Sequence, residues 1–276
     1  MNILSFDVEH WYEGYRYRGI EGWSAYPPRD DKTVEKLLDS LGNTAQRATL
    51  FFTGRYAEEF PHVVKRAAAE GHEVASHSYA HEVLPNVADL VGFRMDLVRS
   101  LRLLEDLIGR KIQGYRAPKW SISEHSRDGV LGILAEEGLL YDSSFFPSPL
   151  GTPRGRCIPH QIHLPQGGLI WEVPATTYPL FQLRIPIAGG LYFRVLPEWL
   201  NRRALTKNRG GFHPGMIYLQ PYDLDPTCPR LPGKWLFNRI RYIGVGSAWA
   251  RLEALLKNFQ FCPVVTWIAD RSSSDA

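Results

Sequence analysis

Cysteine is scarce in this chain of 276 residues. The three that occur, Cys157, Cys228 and Cys262, are unevenly spaced and form no Cys-x-x-Cys pair. This pattern fits neither a disulfide framework nor a thiolate zinc site. We therefore expect three reduced thiols without a role in chemistry.

Long apolar runs are also missing. No stretch approaches the roughly 20 residues that an apolar helix needs to cross a bilayer. Residues 1–7 have neither a basic segment nor a long apolar segment of the kind found in secretory signals. We expect no transmembrane segment and a cytoplasmic location.

Charge of one sign is not in large excess, because the formal net charge is +3. The basic residues are scattered apart from Arg202-Arg203 and Arg239-Ile240-Arg241, which argues against a nucleic-acid partner. With 44% hydrophobic residues the composition is that of an ordinary globular protein. We expect one domain over residues 1–270, a Gly/Pro-rich loop insertion near 146–168, and a disordered tail at 271–276.

Short β-like runs alternate with helical segments along the first half of the chain. Strands are predicted at residues 3–6, 48–52, 73–76, 111–115 and 139–141, and helices at 31–41, 61–70, 87–108 and 127–137. Further strands are predicted at 169–173, 216–219 and 261–267, and further helices at 197–208 and 247–258. This order predicts an α/β fold with a parallel sheet, open or closed into a barrel.

Polar residues follow the ends of several predicted strands, where side chains of a parallel barrel converge. They are Asp7, Glu9, His77, His81, Arg116, Asp142 and Gln220. His77 and His81 are four residues apart, and on one helical turn they would face the same way. With one carboxylate they would form a three-ligand metal site with room for water, as catalytic metal sites have.

The motifs that carry these residues resemble the polysaccharide deacetylase family, also called NodB-homology proteins or carbohydrate esterase family four. They are Asp7-Val8-Glu9, His77-Ser78-Tyr79-Ala80-His81, Arg116-Ala117-Pro118-Lys119-Trp120 and Tyr141-Asp142-Ser143-Ser144. Residues 171–174 and 189–194 look like the branch found in exopolysaccharide and O-antigen gene clusters. The resemblance implies a distorted (β/α) barrel with about seven parallel strands.

The resemblance also implies roles for single residues. Asp7 matches the catalytic base, and Arg116 would orient it and keep it charged. Glu9, His77 and His81 match the ligands of Zn²⁺ or another divalent metal, with His10 a competitor of Glu9. Asp142 would be one of the catalytic residues. The backbone amide near Tyr79 and the metal would together stabilise the oxyanion. Substrate contacts are expected from Tyr79, Trp120, Trp11 and Gln220.

One position departs from the family pattern. The branch usually has His-Pro-Trp-Glu after the late strand, whereas this chain has Gln220-Pro221-Tyr222-Asp223. The missing histidine is the family's general acid, and a carboxamide does not titrate in the useful range. His213, Asp223 or Asp7 could supply the proton, or the site could act slowly or not at all.

Three functions remain in view. The first is a metal-dependent deacetylase that removes an N-acetyl or other N-acyl group from an amino sugar of a bacterial surface polysaccharide, O-antigen or precursor, nucleotide-linked or lipid-linked. The second is a pseudoenzyme that binds a metal and a glycan without turnover. The third is an amidase acting on a small cyclic amide, which would need a small closed pocket.

Overall fold

A curved, mostly parallel sheet forms the centre of the computed structural model, which describes residues 1–83, 89–146, 157–180, 183–187, 189–207 and 214–272. The strands are β1 (Asn2–Val8), β2 (Thr49–Phe52), β3 (Glu73–Ser76), β4 (Gly114–Tyr115), β5 (Tyr141–Asp142), β6 (His160–His163), β7 (Leu169–Glu172), β8 (Thr177–Leu180), β9 (Leu183–Pro186), β10 (Met216–Leu219) and β11 (Phe261–Cys262). The main sheet has nine strands in the order β10-β1-β2-β3-β4-β5-β7-β6, with β11 beside the start of β1. β8 and β9 form a separate hairpin. All neighbours in the main sheet pair in parallel except β6 and β7, which confirms the predicted distorted α/β barrel.

The described helices surround this sheet, and the last of them packs Val264 and Ile268 against its inner face. They are α1 (Glu13–Arg16), α2 (Asp30–Asn43), α3 (Gly54–Glu59), α4 (Pro61–Ala69), α5 (Leu90–Ile108), α6 (Arg127–Glu136), α7 (Gly190–Val195), α8 (Glu198–Lys207), α9 (Trp235–Tyr242), α10 (Val245–Asn258) and α11 (Val264–Ser272). Of the helix predicted at 87–108, residues 87 and 88 lie outside the described part of the chain. The rest begins after Asp89, whose side chain accepts a hydrogen bond from the Gly92 amide, and ends at Gly109 with φ 68°.

Alternation along β1 determines which side chains reach the inside of the barrel. Leu4, Phe6 and Val8 join the large apolar core under the outer helices, whereas Ile3 belongs to a smaller inner cluster. Because side chains of a strand alternate between its two faces, Asp7 points to the inner side with Ile3. The sheet therefore directs the acidic motif toward the interior of the barrel.

The last predicted strand is largely wrong. Residues 261–262 form β11, but after Pro263 the chain turns into α11, which was not predicted. The first amides of this helix find partners on neighbouring strands: the Val264 amide donates to Thr49 Oγ1 at 2.8 Å, and the Val265 amide donates to Glu73 Oε2 at 3.1 Å. These tertiary contacts override the β preference of the Val-Val-Thr sequence.

The loop predicted near 146–168 is only partly irregular, because residues 160–163 form β6 antiparallel to β7. Residues 147–156 of that loop and residues 273–276 of the predicted tail lie outside the described part of the chain, while residues 271 and 272 complete α11. The prediction of one domain over residues 1–270 stays a prediction. Among the helices that the structure describes, none combines the length and apolarity required to cross a membrane.

Candidate metal centre

Three buried side chains meet where β1 and β3 end. Glu9 follows β1, and His77 and His81 lie in the segment after β3. One ligand atom from each residue lies within 4.8 Å of those of the other two. Because β1 and β3 both run parallel to β2, their carboxyl ends face the same side, and that places the three groups together.

The donor set of this cluster fits a divalent metal ion. His77 Nε2 lies 3.7 Å from Glu9 Oε2, and His81 Nε2 contacts the same carboxylate oxygen. Glu9 Oε2 and His81 Nε2 are buried, and the described residues offer neither of them a hydrogen bond. Two imidazole nitrogens and a carboxylate form the two-His-one-carboxylate set that zinc accepts, with a coordination position left for water.

Electrostatics already favour a cation at this point. Burial raises the pKa of Glu9, but His81, Lys119 and His77 together hold it well below the ordinary value. Burial lowers the pKa of His81, but Glu9 and Glu13 outweigh that effect and raise it. The negative charge of Glu9 and Glu13 around His81 thus favours a cation at this position.

Each histidine has a second neighbour at its Nδ1 atom. His77 Nδ1 lies 2.7 Å from the backbone oxygen of Arg116, and His81 Nδ1 lies 3.2 Å from Glu13 Oε2. In metal sites, outer contacts of this kind orient the ligating histidines and raise their basicity. Glu13 is itself held by Arg16 Nε at 2.8 Å. The sequence reasoning missed Glu13, although an acid four residues after Glu9 was a signal that could have suggested it.

The histidine pair is not on a helical turn, so that part of the prediction is wrong. Residues 77–81 form an irregular turn in which Ser78 and His81 have positive φ values, 66° and 56°. The His81 amide donates to Ser78 Oγ at 2.9 Å and closes the turn. Backbone conformation, and not helical spacing, therefore brings the two imidazoles to one side.

Asp7 and Arg116 form a buried ion pair. Arg116 Nη1 donates to Asp7 Oδ1 at 2.6 Å and to Ser5 Oγ at 3.1 Å. The rest of the guanidinium donates to the backbone and hydroxyl oxygens of Ser143, at 3.2 and 2.9 Å. These four hydrogen bonds to oxygen, with a fifth to Met216 Sδ at 3.2 Å, fix the arginine, so the position of the Asp7 carboxylate is fixed as well.

A cavity of about 790 Å³ lies against these groups. Asp7, Lys119, Trp120 and Gln220 line it, as sequence reasoning expected for Trp120 and Gln220. Gln220 Nε2 donates to Glu9 Oε1 at 2.8 Å, and Lys119 Nζ lies 3.6 Å from the same oxygen. The glutamine at the position of the expected histidine therefore contacts the ligand carboxylate, and Lys119 is a neighbour that the sequence reasoning missed.

Two of the predicted residues next to Glu9 lie elsewhere. His10 is buried against Asp30 and Glu59, each 3.4 Å from a ring nitrogen, and does not join the metal cluster. Trp11 is 1% exposed and packs in an apolar cluster with Tyr15 and its neighbours. It does not line the cavity, so its expected substrate contact is wrong.

Tyr79 is turned away from the cavity. Its amide, expected to bind an oxyanion, donates instead to Asp96 Oδ2 at 2.7 Å. Its hydroxyl donates to Glu58 Oε2 at 2.6 Å, and its ring centre lies 3.5 Å from the Arg99 guanidinium carbon. The structure therefore gives Tyr79 contacts that hold the histidine turn against α3 and α5 instead of a contact with substrate.

Asp142 lies in a different cavity, of about 350 Å³, together with Glu172 and Arg127. Burial raises the pKa of Asp142 to about 6, and burial and Asp142 raise the pKa of Glu172 well above its ordinary value. Ser144 Oγ donates to Asp142 and accepts from the Ala117 amide at 2.8 Å. The structure thus connects Asp142 to the segment after Arg116 and does not bring it to the metal cluster.

The remaining acid candidates are also accounted for. Asp223 Oδ2 accepts from the Gln220 amide at 2.9 Å, and Asp223 Oδ1 pairs with Arg194 Nε at 3.0 Å. These contacts use Asp223 to stabilise the turn after β10, and Asp223 is not among the residues of the metal cluster. His213 lies outside the described residues.

Comparison with known proteins gives a family for this arrangement. A polysaccharide deacetylase profile matches residues 22–131, which include both histidines of the cluster and Arg116. Over these residues the chain is similar to the polysaccharide deacetylase family. A second profile, described as a domain of unknown function (DUF3473), matches residues 143–269.

Several relatives within this family are similar to the chain. A peptidoglycan-N-acetylglucosamine deacetylase of Bacillus cereus is 36% identical over 98 residues, 35% of this chain and 34% of that protein. The chain spans about a third of the length of the first curated relatives it matches. Crystal structures assigned to polysaccharide deacetylases of Pseudomonas aeruginosa and Mycobacterium smegmatis share the fold, with TM-scores of 0.63 and 0.61. Their identities are 17% and 21%, with 96% and 99% of this chain and 89% and 91% of those chains covered.

Proposed function

We propose that this protein is a metal-dependent hydrolase that removes an N-acyl group, N-acetyl above all, from an amino sugar of a bacterial surface polysaccharide or its precursor. One observation carries the proposal. Asp7, which Arg116 holds in place, lines one cavity together with Gln220 and Lys119, and the last two contact Glu9 of the metal cluster. A base, a site for a Lewis acid and a substrate cavity are the parts that amide hydrolysis needs.

The chain supplies the base and its support. A divalent ion held by Glu9, His77 and His81 would polarise the acyl carbonyl and make water nucleophilic at neutral pH. Asp7 takes the proton from that water, because its carboxylate faces the cavity and accepts from Arg116. The buried Arg116 guanidinium, which also donates to Ser5 and Ser143, fixes the direction of the Asp7 carboxylate.

We assign the proton for the leaving amine to Asp7. Gln220 has no proton of suitable acidity, and Asp223 is engaged with Arg194 and a backbone amide. Asp7, having taken a proton from water, returns it to the amine nitrogen. A single carboxyl group then acts first as base and next as acid.

The cavity supports a saccharide substrate over a small cyclic amide. Its volume of about 790 Å³ lies toward the upper end of the range for ligand pockets. Trp120, Tyr218 and Tyr222 contribute aromatic surface to its lining. Flat aromatic rings suit the apolar faces of sugar rings, and the tyrosine hydroxyls suit their polar rims.

We place this activity on the cytoplasmic side of the membrane, acting on a lipid-linked or nucleotide-linked precursor.

The test is release of acetate from N-acetylated hexosamine oligosaccharides by protein loaded with Zn²⁺. We expect turnover by the wild type and a loss of roughly 10²- to 10⁴-fold in Asp7→Asn, the range that general acid–base catalysis contributes. Zn²⁺ affinity should be retained, since Asp7 is not among the clustered ligands. Equal acetate release by wild type and Asp7→Asn, or none from any N-acylated hexosamine, would contradict the proposal.

A second candidate rests on Gln220. Its hydrogen bond to Glu9 Oε1 occupies the ligand carboxylate and leaves the position of the expected acid without a titratable group. A metal- and glycan-binding pseudoenzyme would use the same cavity without hydrolysis. Oligosaccharide binding that is equal in wild type and Asp7→Asn, with no acetate released by either, favours this candidate.

A further inference from the structure

Helix α9 exposes its apolar side. Trp235, Leu236, Ile240 and Ile243 are 71%, 55%, 53% and 49% exposed. Together with Arg239, these residues are spaced so that they lie on one side of the helix, and Ile243 extends that side by one residue beyond the helix end. We call these five residues the α9 face. The opposite side of the helix, including Tyr242, is buried. This is the reverse of an ordinary surface helix, which buries its apolar residues and exposes its polar ones.

The α9 face borders the candidate active site. Trp235, Leu236 and Ile240 line the same cavity as Asp7 and Gln220. A hydrogen bond connects α7 to the end of the α9 face, because Arg194 Nη1 donates to the Ile243 backbone oxygen at 2.6 Å. Any partner that covers the α9 face therefore meets substrate at the entrance of the cavity.

Positive charge surrounds this apolar surface. Residues 226–252 contain no Asp or Glu, and they include Arg230, Lys234, Arg239, Arg241 and Arg251. Lys234 and Arg239 are exposed, and so is Arg18, whose guanidinium carbon lies 4.9 Å from the ring centre of Phe237 in α9. Within the described ranges, none of these three exposed cations pairs with a carboxylate. The surface is thus apolar at its centre and cationic at its rim.

We propose that the α9 face docks on an anionic membrane surface. Exposed Trp, Leu and Ile side chains insert at the boundary between headgroups and acyl chains, and surrounding cations are attracted to anionic lipids. A neutral partner would explain the apolar centre alone, whereas an anionic bilayer explains both the apolar centre and the unpaired cations.

Docking determines how the substrate arrives. With the α9 face in the headgroup layer, the cavity entrance lies at the level of lipid phosphates. The amino sugar would then be carried on a lipid phosphate, a conclusion that rests on the proposed deacetylase function. Docking itself does not depend on turnover and is measured without it.

The experiment is co-sedimentation of the whole chain with vesicles of phosphatidylcholine alone or with roughly a third phosphatidylglycerol. We expect binding to the anionic vesicles that weakens as salt is raised. Binding should fall at least about tenfold in the triple variant Trp235→Ser, Leu236→Ser, Ile240→Ser. In the double variant Lys234→Glu, Arg239→Glu, binding to the anionic vesicles should fall at least about tenfold, and binding to phosphatidylcholine vesicles should not change.

A matched control lies on α5, where Val91 and Met95 are 74% and 70% exposed beside Arg94, Arg99 and Arg102. The variant Val91→Ser, Met95→Ser should bind as the wild type does. Vesicle binding that is absent, or that is equal in the α9 triple variant and the wild type, overturns the proposal. So does a wild-type dimer that the triple variant converts to monomer without any vesicle binding, because a second copy then covers the α9 face. If wild type hydrolyses a water-soluble oligosaccharide and ignores vesicles, docking fails while the proposed function stands.

Discussion

The two sides of the candidate site are built in opposite ways. The side formed by β1, β3 and β4 buries charged groups in pairs: Asp7 with Arg116, and Glu9 with the two histidines. The side formed by the chain after β10 exposes apolar groups on α9 and presents the amide of Gln220 to the site. On the proposed function, the first side holds a metal and a base, and the second admits and orients a substrate. The contrast indicates that metal chemistry and substrate access depend on separate parts of the chain.

The largest effect should follow from breaking the buried side at Glu9. Glu9→Gln keeps the shape but removes the anionic ligand that pairs with His81 and Lys119. We expect Zn²⁺ affinity, measured by titration calorimetry, to fall by more than about 10²-fold, beyond what loss of an outer partner costs. Glu172→Gln is the control, because Glu172 is buried in the other cavity and should leave Zn²⁺ affinity unchanged. Unchanged affinity in Glu9→Gln would remove Glu9 from the ligand set.

Gln220→His tests the side that lacks a titratable group. If proton donation limits turnover, the imidazole should raise kcat by up to about 10²-fold and add a basic limb to its pH profile, since general acids contribute in this range. Gln220→Leu is the matched control, because it removes the contact with Glu9 without supplying an acid. Equal kcat in Gln220→His and wild type would show that this side does not limit the chemistry.

Glu13→Gln measures how far support for the metal extends beyond its ligands. The Glu13 carboxylate lies 3.2 Å from His81 Nδ1, so its neutralisation should weaken Zn²⁺ binding by roughly 10- to 100-fold. Glu82→Gln is the control, because Glu82 is exposed and binds the same Arg16 without contacting a ligand. Equal losses in both variants would show that Arg16, and not the Glu13–His81 contact, supports the site.

His72 directly precedes β3 and gives a smaller test of burial outside the candidate site. Burial and nearby Arg47 lower its pKa to about 4, and its neutral Nδ1 accepts from the Ala48 amide at 3.3 Å. The unfolded chain binds this proton near pH 6.5, so stability is fully present above about pH 6.5 and is lost as pH falls toward about pH 4. In the wild type, protonation of His72 should lower the free energy of unfolding, measured in urea, by about 2 kcal/mol at about pH 4.5. His72→Gln should remove this loss. His62→Gln is the control, because His62 is exposed and its replacement should leave the pH dependence of stability unchanged. Equal pH dependence in His72→Gln and the wild type would contradict the expectation.

Much of the buried side was predictable because its signals are local. Short apolar runs followed by polar pairs placed Asp7, Glu9, His77 and Arg116 after strands, and parallel strands end at one side of a sheet. The outer contacts were not predictable in this way. Glu13 reaches His81 across 68 residues of sequence, and Asp96 takes the Tyr79 amide only because α5 packs against the histidine turn.

Some predictions failed because a local pattern allowed two outcomes. A His-x-x-x-His spacing suits a helix, yet positive φ angles at Ser78 and His81 produce a turn instead. The residues after Pro263 favour a strand by composition, but Thr49 and Glu73 accept the first amides of a helix. In both places the free energy of distant contacts exceeded the local preference, which spans only about 1 kcal/mol.

Local patterns alone were enough to predict the resemblance to polysaccharide deacetylases, the parallel sheet and the residue types of the candidate metal cluster, because strand periodicity and motif spacing are properties of neighbouring residues. Only the tertiary structure decided that Glu9 and not His10 joins the cluster, that Trp11 and Tyr79 turn away from the cavity, and that α9 presents apolar side chains at its entrance. These outcomes depend on which side chains a packed core has room to bury, and that is settled by residues far apart in the chain.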